Sequence, residues 1–439
     1  MSPTMRRGRT RISAPPRSSP WAGERPLRSR LLLLLPTRTY RADAFVDAAT
    51  RLDVNLTVAS EYPSSLADQN PSGLLTLDFA DPERAADQAA GFHRHYPIDA
   101  VFAVDDDTAI VAAHVARRIG LAYPGIQAVE EARDKARQRR RLAGAEVPIP
   151  AFREVLLDEV DAGRIEPPPC LPCVVKPVAL SGSRGVIRAD DRDGFRRAVQ
   201  RSAAIIRAAC GGRPAPGTAL LVEEYIPGVE YAVEGLLIGG TLHVLTIFDK
   251  PDPLEGPFFE ETIYLTPTGA DDAVVRSVRC SVEEAARALG LTEGPIHAEV
   301  RVNERGAWLI ELAARPIGGK CGRILRFGTD GNRSLEEILL AHALGRLAGP
   351  PMREAVSRGV MMLPTPGAGV FRGIEGRDRA LAVEGIEDMV VTVPRGERVV
   401  PLPEAARYLG FLFARGRGPG EVEERLRRGW AQLRVVVEG

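Results

Sequence analysis

The sequence has few lysines, few cysteines and no long apolar run. Its 439 residues include five cysteines, an odd and scattered set that predicts reduced thiols and not a disulfide framework. The apolar run at residues 31–35 is far shorter than the roughly 20 residues that cross a bilayer or the roughly 7 to 15 of a signal-peptide core. We therefore expect a cytoplasmic protein with no membrane partner.

The sequence also lacks an excess of charge of either sign. Its 58 basic and 58 acidic side chains cancel, so the overall charge gives no indication of a polyanion-binding surface, and we expect no nucleic-acid partner. A chain of this length, 44% apolar, is long enough for several folded domains.

Lysine is rare enough to be informative. Only four of the 58 basic residues are lysines, namely Lys135, Lys176, Lys250 and Lys320. A compact ammonium group on a flexible stem can follow a phosphate as a point charge, which a planar guanidinium does less well. The scarcity favours a functional role for the four together, although a surface position is compatible with any single one.

Cys170 and Cys173 form a C-x-x-C pair, the spacing of many zinc ligands. No second such pair and no histidine pair completes a tetrahedral site. We favour the simpler interpretation of two small apolar residues that lead into a buried strand.

The chain falls into segments of different pattern. Residues 1–29 are basic with no apolar period, and we interpret them as a disordered tail or as translated sequence upstream of the true start. Residues 30–125 alternate short apolar runs with helical patterns, which predicts a doubly wound parallel sheet. The first strand-to-helix turn, residues 36–40, lacks the glycine fingerprint of dinucleotide-binding domains. Residues 129–143 are predicted to form one basic helix.

Three aspartates, Asp105, Asp106 and Asp107, follow the last strand of this sheet. Ligands of parallel sheets bind at that end of the strands. A helix cap is the slightly favoured interpretation over a ligand site, because aspartate is a preferred residue at helix starts.

The first segment with chemical character is a strand that ends at Lys176, followed by a loop of serine and glycine. Small residues in such a loop let backbone N–H groups approach phosphate oxygens. The loop residues concerned are Ser181, Gly182, Ser183 and Gly185. A Walker P-loop has its lysine after the second glycine, so a P-loop fold is not expected.

The second segment, residues 220–231, predicts a strand, a short hinge and an acidic residue. The hinge residues are Glu223, Glu224, Tyr225 and Ile226, and the acidic residue that follows Gly228 is Glu230. In isolation this pattern is compatible with an ordinary strand and turn.

The third segment predicts two strands joined by a turn at residues 303–306, with Glu299 and Glu311 facing inward on neighbouring strands. Burying two carboxylates together is costly without a compensating cation, so a shared hard metal ion such as Mg²⁺ is the economical explanation. Arg315 follows four residues later and suits a transferring phosphoryl group or an oxyanion. Salt-bridged carboxylates in an exposed hairpin fit the apolar flanks of this segment poorly.

Taken in this order, the three segments resemble the ATP-grasp family. Lys135 followed by residues 145–150 is similar to the earlier lysine and proline-containing stretch of that family. The resemblance implies an α/β ATP-grasp fold of three parts. These are an N-terminal doubly wound parallel-sheet domain at 30–125, an ATP-grasp domain of two α+β lobes that clamp ATP at 126–350, and a small, mainly β, α+β domain at 351–439. The last part is similar to the extra C-terminal domain of carboxylate–amine ligases such as the L-amino acid ligases.

The resemblance also implies a role for each motif residue. The expected ATP-binding residues are Lys135 and Lys176 at the phosphates with Ser181, Gly182, Ser183 and Gly185, then Glu223, Glu224, Tyr225 and Ile226 at adenine, and Glu230 at the ribose. The expected metal ligands are Glu299 and Glu311, for Mg²⁺ or alternatively Mn²⁺, and the expected catalytic residues are Arg315, Lys176 and Lys250.

One departure from the family pattern affects the metal site. The family usually has asparagine two residues after the second metal carboxylate, and this sequence has Ala313 there. Either the metal geometry differs or a water molecule fills the place.

The loop that carries Lys250 lies between the hinge and the metal strands in the sequence. We expect it over the active site, where Lys250, Glu260 and Glu261 would meet a substrate carboxylate or amine. A mobile surface loop with a salt-bridged lysine is equally compatible with each residue. We also expect Lys320 and Cys321 at the acceptor side. Among the histidines, we expect only His297 near the site.

These expectations together predict a Mg·ATP-dependent carboxylate–amine ligase. It would form an amide or peptide bond through an acyl phosphate, with a small-molecule carboxylate and an amine, both amino-acid-like, as partners. A homodimer is an open alternative to a monomer. Two other functions remain open, a biotin-carboxylase-like enzyme and a catalytically silent ATP-binding regulatory protein, the latter because of Ala313.

Overall fold

The computed structural model describes residues 28–37, 39, 41–405 and 407–439. Nearly all of the predicted basic tail, residues 1–27, lies outside the described residues. The first part is a four-stranded parallel sheet with strand order β3-β2-β1-β4. Its elements are β1 Arg30–Leu34, α1 Ala42–Arg51, β2 Asn55–Ser60, β3 Leu74–Thr76, α2 Pro82–His93, β4 Ala100–Ala103 and α3 Asp106–Ile119. The predicted parallel sheet is confirmed, and the fully buried leucines of β1 explain the strength of its pattern.

The predicted single helix over residues 129–143 is wrong. The structure has two helices here, α4 Ile126–Arg133 and α5 Lys135–Ala143. Asp134 separates them in an extended conformation, and its side chain accepts hydrogen bonds from the backbone N–H groups of Ala136 and Arg137. An aspartate cap therefore starts a new helix at Lys135.

The next part is a small lobe with an antiparallel sheet of order β5-β8-β6-β7, which we call the lid lobe. Its elements are β5 Phe152–Leu156, α6 Leu157–Asp161, β6 Cys173–Pro177, β7 Ile187–Ala189, α7 Arg192–Ala209 and β8 Ala219–Glu224. Helix α7 packs Phe195, Val199 and Ile206 into the core of this lobe.

An eight-stranded sheet carries the rest of the molecule, in the order β13-β12-β9-β10-β11-β16-β20-β18. The first elements are β9 Val229–Ile238, β10 Thr241–Asp249, β11 Ile263–Thr266, α8 Asp272–Ala288, β12 Gly294–Asn303, β13 Gly306–Ala313, a 3₁₀ turn Cys321–Ile324, β14 Arg326–Phe327, β15 Arg333–Ser334 and α9 Leu335–Ala343. The last are β16 Ser357–Leu363, β17 Gly369–Glu375, α10 Arg377–Leu381, β18 Ile386–Val391, β19 Arg398–Val399, β20 Gly410–Gly416, α11 Pro419–Trp430 and β21 Arg434–Glu438.

This large sheet runs across the expected domain boundary at residues 350 and 351. Strand β16 pairs with β11 on one side and with β20 on the other. The C-terminal segment therefore extends the main sheet, and β17, β19 and β21 form a separate three-stranded sheet beside it.

The described residues also bear on the cysteines and on the apolar segments. All five cysteines are free thiols, with Cys173 buried at the start of β6 and Cys170 exposed before it. Within the described part of the chain, no helix is long and apolar enough to cross a membrane.

Candidate active site

A cavity of about 450 Å³ lies where the parallel sheet, the lid lobe and the eight-stranded sheet meet. Its walls include most of the residues expected to bind nucleotide or metal. These are Lys135, Lys176, Ser181, Gly182, Ser183, Glu223, Glu224, Tyr225, Ile226, Glu230, Glu299, Glu311 and Arg315. Gly185 and Lys250 are not among the lining residues, although both belong to segments that border the cavity.

Lys176 lies in a buried ion triad. Its Nζ is 2.6 Å from Oε2 of Glu223, and the Nε of Arg139 is 2.7 Å from Oε1 of the same carboxylate. Burial lowers the pKa of Lys176 although Glu223 opposes the shift. Burial alone would raise the pKa of Glu223, but Arg139 and Lys176 lower it overall. The Glu223 carboxylate is therefore held by two cations, while Glu224, Tyr225 and Ile226 remain on the cavity wall.

Arg139 was not singled out from the sequence. Its guanidinium also donates to the backbone oxygen of Ile310, so it joins α5 to β8 and β13. It lies one helical turn after Lys135 on the same face of α5, and that four-residue spacing was the available signal.

Lys135 pairs with the second expected metal ligand. Its Nζ is 2.9 Å from a carboxylate oxygen of Glu311 and donates to the backbone oxygen of Leu180 at 2.9 Å. Burial would raise the pKa of Glu311, but Lys135 and Lys176, with Arg315, lower it to about 2. Glu311 is therefore an anion in a strongly positive environment.

Glu299 and Glu311 are direct cross-strand partners on β12 and β13. The sequence predicted that these carboxylates would be on neighbouring strands, and the register places them opposite each other, next to a bulge after Glu299. Burial raises the pKa of Glu299, and Lys250 counteracts this only in part. Ala313, the position where the family pattern has asparagine, lines the same cavity two residues after Glu311.

Lys250 lies at the centre of three carboxylates. Its Nζ is 2.7 Å from Glu230, 2.9 Å from Glu261 and 3.2 Å from Glu299. One oxygen from each carboxylate lies within 4.8 Å of the others. The second oxygen of Glu230 accepts from Arg301 at 2.7 Å, so the expected ribose ligand is held by two cations. Arg301 was missed, although it lies two residues after Glu299 on the same strand.

Burial dominates the electrostatics of the neighbouring acids. It raises the pKa of Glu261 to about 7, with Lys250 opposing and the carboxylates of Glu299 and Glu230 reinforcing the shift. Burial also raises the pKa of Glu260. Both residues line the cavity as expected from their loop.

Arg315 is oriented by the N-terminal domain. Its Nε is 2.8 Å from Asp106, and burial of the guanidinium is more than offset by this contact, so its pKa is raised. Asp105 caps α3 by accepting from the N–H of Thr108. The expected cap is thus confirmed for Asp105, while Asp106 has a positioning role that the sequence did not reveal.

His297 also lines the cavity, where it faces the fully buried Glu234 at 3.3 Å. Glu234 accepts from the N–H of Ile317, and it was missed because nothing in its strand pattern distinguishes it. The cavity is also lined by Tyr264 and Cys321, as well as by residues from the C-terminal segment. Lys320 is not among the lining residues.

Models of three protein families match the chain in the order that the structure shows. The ATP-grasp N-terminal domain matches residues 46–124, the ATP-grasp domain matches residues 170–324, and the L-amino acid ligase C-terminal domain 2 matches residues 361–438. The last match covers most of the C-terminal extension of the large sheet.

Three similar proteins show how far the resemblance extends along the chain. The chain is 25% identical over 396 residues to the uncharacterized protein y4rH of Sinorhizobium fredii, covering 88% of this chain and 79% of that protein. It is 26% identical over 301 residues to the alanine–anticapsin ligase of Bacillus subtilis, covering 64% of this chain and 62% of that enzyme. The crystal structure of an L-amino acid ligase from Bacillus licheniformis superposes with a TM-score of 0.76 at 25% identity, covering 94% of this chain and 99% of that one. The chain thus spans less than two thirds of the alanine–anticapsin ligase.

Proposed function

We propose that this chain, which matches ATP-grasp and L-amino acid ligase family models, is an ATP-dependent ligase that joins an amino-acid-like carboxylate to an amine through an acyl phosphate. One observation carries the proposal. One cavity is lined by the cations Lys135, Lys176 and Arg315 and by the carboxylates of Glu299 and Glu311, which are cross-strand partners. Three cations beside a pair of carboxylates suit a nucleotide triphosphate with a bound metal ion.

The residues present fit a divalent metal. Glu299 and Glu311 supply oxygen donors from neighbouring strands, which is the donor chemistry that Mg²⁺ prefers. When bound, the ion would neutralise charge on the phosphate oxygens during transfer. Ala313 has no side-chain donor, so its side chain would not help to hold the ion.

The nucleotide is expected in the cleft between the lid lobe and the large sheet. Glu224, Tyr225 and Ile226 form the cavity wall where the chain passes from β8 towards β9, and they would contact adenine. Ser181 to Ser183 form the loop after β6, whose backbone N–H groups would contact phosphate oxygens. Glu230 reaches a ribose only if its contacts with Lys250 and Arg301 rearrange.

The reaction has two steps in this proposal. A substrate carboxylate oxygen attacks the γ-phosphorus, and the bond to the bridging oxygen of ADP breaks, while Lys176 and Arg315 hold the developing negative charge. The amine nitrogen then attacks the acyl carbon, phosphate leaves, and the amine loses a proton. Glu260 and Glu261 line the cavity and have raised pKa values, which makes them the candidates to bind the amine and accept that proton.

The proposal is tested by measuring ADP release and amide formation with Mg·ATP and a panel of L-amino acids, singly and in pairs. We expect ADP release that depends on a specific pair and equals the amide formed. Lys176→Ala should abolish both. Arg196→Ala is the matched control, because it removes an exposed cation from the same lid lobe without altering the cavity.

Other outcomes would contradict the proposal in distinguishable ways. ADP release that requires bicarbonate and biotin would instead indicate carboxylase chemistry. Tight ATP binding with no ADP release across the whole panel would indicate a regulatory nucleotide-binding protein.

A further inference from the structure

A short C-terminal segment, residues 402–405, reaches from the large sheet to the lid lobe. Leu402 and Ala405 line the cavity. Between them, Pro403 and Glu404 contact the lid lobe. We call residues 402–405 the latch segment. The latch segment therefore lines the cavity and also contacts the lid lobe.

The first contact fixes the end of the predicted phosphate loop. The N–H of Gly185 donates to the backbone oxygen of Pro403 at 2.8 Å, and the Oγ of Ser202 on α7 donates to the backbone oxygen of Gly185 at 2.9 Å. Gly185 has a φ of +76°, and a Cβ there would lie 2.8 Å from the ring of Pro177. Only glycine allows this close approach without strain. The two hydrogen bonds hold the loop between α7 and the latch segment.

The second contact is an ion pair next to the first. Arg201, which precedes Ser202 on α7, makes two parallel contacts with Glu404, Nε to Oε1 at 2.7 Å and Nη2 to Oε2 at 2.9 Å. These residues are 203 positions apart in the sequence. The guanidinium also lies 5.0 Å from the ring centroid of Phe258, which belongs to the loop that carries Glu260 and Glu261. A bidentate pair has a defined geometry and therefore holds the two parts in one orientation.

We propose that the latch segment holds the lid lobe closed during the reaction, and that Arg201 and Glu404 are positioning residues for this closure. The inference rests on the proposed ligase function. Water hydrolyses the acyl phosphate when the lid opens before the amine attacks. If the lid stays closed for a shorter time, ADP is therefore released without formation of an amide.

The same segment links closure to the substrate. Because Leu402 and Ala405 form part of the cavity wall, a substrate that does not fit against them displaces the backbone that carries Pro403 and Glu404. The lid then loses its two contacts. The C-terminal region is thereby assigned a part in substrate selection through lid closure.

Coupling of ATP turnover to amide formation tests this role. The ratio of amide formed to ADP released should fall about two- to fivefold in Arg201→Ala and in Glu404→Ala, the range expected for a partly exposed ion pair. The double variant should show no further loss, and the charge exchange Arg201→Glu with Glu404→Arg should recover most of the ratio. Arg196→Ala, on the same helix but with its ion pair to Asp193 of that helix, should match the wild type. A ratio in Arg201→Ala equal to that in Arg196→Ala would refute the latch.

A second measurement does not depend on the substrate. The dissociation rate of a fluorescent, non-hydrolysable ATP analogue with Mg²⁺ reports the opening of the lid. We expect it to rise by a similar factor in Arg201→Ala and Glu404→Ala and to return in the charge exchange. If the wild type forms no amide with any pair, the proposed function fails, yet this rate still decides the latch. Unchanged dissociation in both variants would overturn it.

Discussion

Glu223→Gln would separate two buried cations from their shared anion. In the wild type, the carboxylate touches Arg139 on one oxygen and Lys176 on the other, and the exposed fractions of the three side chains are 3%, 1% and 5%. Glutamine keeps the volume but not the charge. Its amide nitrogen is a donor, so at most one of the two cations retains an acceptor.

The expected cost follows from the burial. Removing one partner of a buried ion pair destabilises a protein by about 3–5 kcal/mol, because a charge is left without compensation. Glu154→Gln is the matched control, since its pair with Arg140 is partly exposed and worth about 1 kcal/mol or less. Both substitutions lie on the sheet of the lid lobe, on β8 and β5, which pair with each other.

Hydrogen–deuterium exchange of the β8 amides measures this cost locally, which suits a chain whose lobes need not unfold together. A loss of about 3 kcal/mol corresponds to exchange that is roughly 100-fold faster or more. Mg·ATP should slow exchange more in Glu223→Gln than in the wild type, because its phosphates supply an anion to Lys176. Exchange within twofold of the Glu154→Gln control, with or without nucleotide, would refute the reasoning.

Three further predictions concern single positions. Burial would raise the pKa of Glu311, but neighbouring cations lower it to about 2, so the charged carboxylate stabilises the fold at pH values above the ordinary pKa of 4.5, and this stabilisation is lost as the pH falls towards 2. Glu311→Gln should therefore flatten the decline of the thermal unfolding midpoint in acid. An unchanged decline would contradict this. Asp134→Ala removes the cap of α5 at a cost of about 1 kcal/mol and should raise the KM for ATP. Asp191→Ala, which removes the cap of α7, should lower stability but leave the KM for ATP unchanged. Gly228→Ala places a Cβ 2.3 Å from a backbone oxygen and should lower the unfolding midpoint much more than Gly163→Ala, whose added Cβ has no heavy atom within 4 Å. Equal midpoints in the two variants would argue against a rigid hinge.

Much of the fold could be predicted because its strands and helices carry local patterns. The buried leucines of β1 and the polar face of α2 are readable without tertiary information. The break at Asp134 was also readable, since aspartate is a preferred cap, but the basic character of the whole stretch suggested one helix. The pairing of β16 with β11 was not readable, because strands separated by about ninety residues leave no local sign of their register.

The site could be predicted only where the chemistry lies in short motifs. Glu299 and Glu311 were predicted from two strands joined by a turn, and the register makes them opposite partners. The partners that orient the motif residues come from distant positions, such as Asp106 for Arg315, 209 residues away. Arg139 is 84 residues from Glu223, and no spacing rule connects them.

Three of the four lysines gain a common explanation from these contacts. Lys135, Lys176 and Lys250 are each buried against carboxylates, so the protein supplies anions that compensate these cations before any nucleotide binds. Nucleotide phosphates would then compete with carboxylates for the same ammonium groups. An ammonium group donates in several directions and can shift from one partner to another, whereas a planar guanidinium that donates to two fixed acceptors, as Arg139 does to Glu223 and to the backbone oxygen of Ile310, keeps its orientation. We infer that lysine is retained at Lys135 and Lys176 because these side chains change partners, and that arginine serves where the partner is permanent, as Arg139 does.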